Sequence, residues 1–71
     1  MKPLWTPQAR DEAIELAVSN LFMAGYIDPL PEKVATCMSR IAGLPDMELA
    51  QILARSRLLY ERYLLTCWNL N

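Results

Sequence analysis

Apolar residues recur at helical spacing along nearly the whole 71-residue chain, and no segment alternates for long enough to make a strand. Punctuation cuts this pattern into three. Thr6-Pro7 offers a hydroxyl for an N-cap and then a proline at the first helical position, where its missing N–H is harmless. Asp11, Glu12 and Glu15 follow near the positive end of the helix dipole, the first two placed to help most. Gly25 can take the left-handed conformation that ends a helix near Ala24. Asp28-Pro29-Leu30-Pro31 reads as a short rigid connector. A second helix from Pro31 to Ala42 has Gly43 as its C′ residue, and Pro45 opens a third with Asp46 and Glu48 in its first turn. The prediction is an all-α fold in one domain over residues 1–71. Its helices lie at about 7–24, 31–42 and 45–68: two short ones and a long C-terminal one.

Each helix sorts its residues at about 100° per step. On the third, Leu49, Leu53, Tyr60, Tyr63, Leu64 and Cys67 share one arc, with Ile52 and Leu59 at its margin. That arc is the predicted core face. Glu48, Gln51, Arg55 and Arg62 form a solvent stripe beside it. Past the polar residues lies a second, narrower apolar stripe of Met47, Ala54, Leu58 and Leu65, with steps of 7, 4 and 7. Such steps suit helices packed side by side. The first helix repeats the arrangement. Ile14, Ala17, Val18 and Leu21 make its main face, while Leu16 and Met23 point elsewhere. Two short helices do not cover both faces of a rod roughly 35 Å long. Apolar stripes of this length mark interfaces. The third helix therefore predicts a surface for another polypeptide.

Composition narrows the classes of function. A chain this short buries little of its surface and gains from oligomerisation. Seven Lys/Arg against eight Asp/Glu give a net charge of −1. That balance provides no electrostatic footprint for nucleic acid or anionic membrane, and little repulsion between copies. The longest uncharged stretch, Leu16 to Ile27, is well short of the roughly 20 residues that span a bilayer. Met-Lys-Pro-Leu-Trp at the N-terminus does not read as a signal peptide. Cys37 and Cys67 are too few for a disulfide framework and read as small buried hydrophobes. A cytoplasmic protein is the expectation.

Catalysis is hard to assemble from these residues. The chain has no histidine, hence no ordinary triad, Cys-His pair or zinc ligand set. The pairs Asp11/Glu12 and Asp46/Glu48 are explained as helix-start acids, and the two glycines as helix stops rather than a phosphate loop. No enzyme activity, cofactor, metal or small-molecule substrate is expected. DNA binding is the rival reading. Residues 34–57 fit a helix, a glycine-containing turn and a helix. The N-terminal residues of that recognition helix would be Asp46 and Glu48, however, which phosphates repel. Arg55, Arg57 and Arg62 come later and spread around the helix with Glu61 among them.

Residues 17–25, Ala-Val-Ser-Asn-Leu-Phe-Met-Ala-Gly, resemble the Ala-Val-x-Asn-Leu-x-x-x-Gly stretch of small enterobacterial regulators of the AriR/YmgB type, linked to biofilm and acid resistance. The likeness extends over roughly residues 11–65, with Asp46, Ala50, Arg62 and Tyr63 at matching places. Prolines 29, 31 and 45 depart from that pattern, the family's longer N-terminal extension is absent, and Trp68 lies beyond the match. The resemblance implies a three-helix subunit that forms a homodimer and regulates through proteins or DNA; it transfers no binding residue. Short helical proteins of this size are also typical of phage and mobile-element inhibitors that occupy a surface of a host machine.

The sequence thus predicts a non-enzymatic regulator or inhibitor, homodimeric, that binds a host protein through an apolar helical face. The alternative is a dimeric DNA-binding regulator. Met47, Leu58 and Leu65 are the expected seam, Arg55 and Arg62 its flanks, and Trp68 or Tyr26 a rim anchor, with Leu16 and Met23 contributed by the first helix. Trp5 is expected to pack as a staple on that helix.

Overall fold

The structure is a computed structural model and describes residues 5–69. Those residues form three α-helices and no strand: α1 Pro7–Met23, α2 Pro31–Ala42 and α3 Asp46–Asn69. Thr6 caps α1, its hydroxyl accepting from the Ala9 N–H at 3.1 Å, with Pro7 next in line. At the other end Gly25 has φ +85°. The Tyr26 N–H donates to the Leu21 carbonyl at 2.9 Å and the Gly25 N–H to that of Phe22 at 3.1 Å, the paired bonds of a Schellman motif.

The other helix ends depart from the sequence reading in detail. Gly43 is the C-cap of α2 with φ −83°, a right-handed conformation open to any residue. Pro45 stands just before α3, its carbonyl accepting the Leu49 N–H at 2.9 Å. Asp11 and Glu12 lie beyond the first turn of α1, which contains no acid, so the dipole reaches them weakly. Asp46 and Glu48 do fall in the first turn of α3.

Two contacts fix the topology. Arg10 meets Asp46 and Asn20 meets Ser56, each pair 36 positions apart. A constant offset means that α1 and α3 run parallel, and α2 is the return segment between them. It packs on α1 rather than on α3. The buried apolar set is small: Ala13, Ile14, Ala17 and Val18 from α1, Ile41 from α2 and Leu49 from α3. Trp5, Leu21, Ile27, Val34, Cys37, Ile52 and Leu53 pack around it, half-buried.

The core face of α3 is correct only for its first half. Leu49 is fully buried, but Tyr63 and Leu64 are 42% and 39% exposed, and Tyr60, Leu59 and Cys67 are half-buried. The offset of 36 puts the end of α1, Met23, level with Leu59, so the last turns of α3 run past the helix that covers the rest. Cys37 is likewise half-buried rather than sealed in the core. The radius of gyration is 13.3 Å, against about 11 Å for a compact chain of this length. The extents of 48 × 25 × 16 Å describe a long body only 16 Å thick.

Two polar features sit inside this packing. Asn20 and Ser56 are buried, the Asn20 amide donating to the Ser56 hydroxyl at 3.3 Å and that hydroxyl donating to the Leu53 carbonyl at 2.8 Å. Arg10 reaches from α1 across the α2–α3 turn. It pairs with the Asp46 carboxylate and donates to the carbonyls of Ala42, at 3.0 Å, and Leu44. One side chain thereby ties together all three helices.

Candidate functional site

The outward side of α3 begins with its inward side. Leu49 and Ser56 meet α1 and have essentially no exposure, which aims the opposite side of the same helix at solvent. That side carries Met47, Leu58 and Leu65, exposed by 66%, 60% and 63%, with Ala54 exposed between them. Glu48, Gln51, Arg55 and Arg62 are exposed along one flank. On the other flank Arg57 pairs with Glu61 at 3.5 Å, a fully solvated pair of the helical i,i+4 kind.

Small residues next to large ones give this surface relief. Ala50 and Ala54, with Trp5, Leu53, Arg57, Leu58 and Glu61, line an open groove of about 490 Å³. A second groove is lined by Trp5, Ala9, Glu12, Ala13, Leu16 and Leu53. Trp5 and Leu53 belong to both, so Leu58 of α3 and Leu16 of α1 border adjoining grooves. Trp5 is therefore more than a local staple: the residue four places into α1 is Arg10, which offers it no apolar mate, and the indole bridges α1 and α3 instead.

The remaining residues singled out by the sequence are dispersed. Tyr26 and Arg62 border a separate hollow with Ala24, Leu59, Tyr63 and Thr66, at the far end of α1. Arg55 lies by Leu44, Glu48, Gln51 and Ile52. Met23 and Trp68 are exposed, Trp68 by 76%, and border none of these hollows. Near Trp68, the Tyr63 phenol has its pKa raised above the usual range. Its hydrogen bond to the Cys67 side chain is the main cause, followed by the charge of the Cys67 thiolate, desolvation and the charge of Tyr60.

Among the described residues, no group of three or more His, Cys, Asp or Glu is placed to hold a metal ion, and no helix is long and apolar enough to cross a membrane. Comparison with protein-family models, with curated proteins and with solved structures finds no match for this chain.

Proposed function

We propose that this protein is a small non-enzymatic regulator or inhibitor that acts by binding another protein through the outer face of α3, as a homodimer. The observation that supports it most is the stripe Met47–Ala54–Leu58–Leu65. It stays exposed in the folded chain, while the opposite face of the same helix supplies the core. Large apolar side chains repeated along one exposed helix face and bordered by arginines suit a partner helix or groove. The resemblance of residues 17–25 to small regulatory proteins supports the same reading.

The test is capture from the cytosol of the native cell with immobilised wild-type and Leu58→Asp protein. A stoichiometric protein partner retained by the first and lost by the second is the expected result. Retention by both refutes a role for this face. Salt-sensitive retention of DNA, with no protein partner, supports a DNA-binding regulator instead.

A further inference from the structure

The spacing of the outward stripe, 7, 4 and 7, reads the same in both directions along the chain. Met47 and Leu65 stand nine positions either side of Ser56, and Ala54 and Leu58 stand two either side. All four lie within about 40° of one another around the helix. A helix laid against a reversed copy of itself pairs residues equidistant from the crossing point. A crossing at the level of Ser56 sets Met47 against the partner's Leu65, and Ala54 against the partner's Leu58.

We propose that a second copy of the chain packs antiparallel on this stripe, with the two-fold axis crossing α3 level with Ser56. This rests on the reading of α3 as a protein-binding face: the second copy covers the stripe in the free dimer, and the other protein competes with it for that face. Size complementarity supports it. The two-fold places each Leu58 against the small Ala54 of the other chain, large on small twice over, as the self-complementary contact of a closed dimer requires. A parallel, in-register pair instead sets Ala54 on the partner's Ala54 and leaves a gap at the middle of the seam.

Charge supports the same register. A two-fold across antiparallel helices brings like flanks together. Arg62 then falls about 3 Å along the helix from the partner's Glu48, taking 1.5 Å per residue. Both side chains are exposed on that flank, and the pair forms twice per dimer. The two Arg55 side chains on that flank and the two Arg57 side chains on the other meet near the axis and oppose this; Arg57 is offset by its own Glu61, and salt screens all these exposed pairs alike. A core of six buried apolar residues among those described also gains stability from association.

Disulfide trapping in the full chain reads the geometry. Cys37 and Cys67 are first replaced by Ala, and Met47→Cys and Leu65→Cys are then made separately in that background. Oxidising the two variants mixed is expected to give a covalent 47–65 dimer. Either variant alone gives little, because its two equivalent Cα atoms lie about 27 Å apart along the helix axis, far beyond disulfide reach of about 7 Å. Cross-linking of each variant to itself, without the mixed product, means a parallel dimer and overturns the proposal. If the cysteine-free background fails to show a helical circular-dichroism spectrum, charge reversal in the native chain decides. Arg62→Glu should weaken the dimer roughly fivefold, as exposed pairs formed twice allow, and Glu48→Arg in the same chain should restore it. No weakening, or no restoration, overturns the register. A chain that is monomeric in light scattering at micromolar concentration refutes the dimer, and its capture result then separates the readings. Loss of capture on Leu58→Asp leaves the protein-binding function standing, whereas unchanged capture refutes both.

Discussion

Leu65→Asp separates association from folding most cleanly. Leu65 is 63% exposed in the single chain, so it adds little to the monomer fold. Full burial of a leucine is worth about 1.5–3 kcal/mol, and covering the exposed fraction therefore supplies about 1–2 kcal/mol per chain, or about 2–4 kcal/mol per dimer. Aspartate removes that gain and asks the seam to desolvate two carboxylates, at several kcal/mol each if no partner meets them. A combined loss of about 4 kcal/mol or more raises the dimer Kd by roughly a thousandfold. Within the monomer the carboxylate stays hydrated. The lower helix propensity of Asp and its place toward the negative end of α3 take off under about 1 kcal/mol. The matched control is Leu49→Ala, since Leu49 has no exposure and its truncation should remove about 2–5 kcal/mol of fold stability. Tyr60, expected in the core, is half-buried and makes a poorer control. The assay pairs sedimentation with circular-dichroism melts over a range of protein concentration. Wild-type protein should melt at higher temperature as concentration rises, whereas Leu65→Asp should be helical, monomeric and indifferent to concentration. A Leu65→Asp chain that unfolds at every concentration, or that sediments as wild type does, refutes the reasoning.

Substitutions at three further positions and one titration bear on the fold. Arg10→Ala strips the α2–α3 turn of its clamp and should lower stability by about 1–3 kcal/mol in a denaturant titration; Arg10→Lys should recover little, because one ammonium cannot reproduce the forked contacts. Gly25→Ala forces an L-residue to φ +85° and should destabilise by about 1–2 kcal/mol. Gly43→Ala should do the reverse, by about 0.4–1 kcal/mol, because its φ is ordinary and a Cβ there meets the Arg40 and Ser39 carbonyls at a comfortable 3.6 and 3.7 Å. The Tyr63 phenol, raised by Cys67, holds its proton more tightly folded than unfolded. Its stabilising contribution is thus complete below the unfolded value and is lost as pH rises through the folded one. Ultraviolet phenolate titration of the native protein should show Tyr63 titrating late, and Cys67→Ala should bring it back toward the usual range.

Local chemistry made the helices legible and long-range geometry set the limit. Thr6-Pro7, Pro31 and Gly25 act on their immediate neighbours, so the residues alone place the ends of α1 and α2 to within a position. Helical periodicity reveals which face of α3 is apolar, but not how far a neighbour extends over it. Hence Tyr63 and Leu64 were expected inside and lie past the end of α1. Asn20 and Ser56 were passed over because they are polar. Their spacing carried the signal all the same, Asn20 continuing Ala13 and Ala17, and Ser56 continuing Leu49 and Ile52. Arg10 had no local signal at all, since its partners lie 32 to 36 positions away. The same limit scattered the expected surface. A helical wheel cannot show that Leu16 and Leu58 border adjoining Trp5-lined grooves while Tyr26 and Arg62 border a separate hollow.

The order of the helices makes an uncovered face a consequence of the fold. With α1 in the middle, α2 and α3 each spend one side on it, and neither covers the other. Closing a two-layer core would require α2 to lie across α3, yet α2 is only half as long, with 12 residues against 24. Its one buried side chain, Ile41, belongs to the core built on α1. The buried Asn20–Ser56 pair favours this arrangement over slipped ones, because sliding α3 by a turn along α1 leaves the amide facing apolar side chains without a partner. The Arg10 clamp opposes the same slip at the other end. Register is therefore held by polar contacts at both ends of the α1–α3 contact, while the apolar surface outside it is left available. On the proposed function, stability and association draw on different residues, so a change on the outer stripe should alter partner choice without disturbing the fold that presents it.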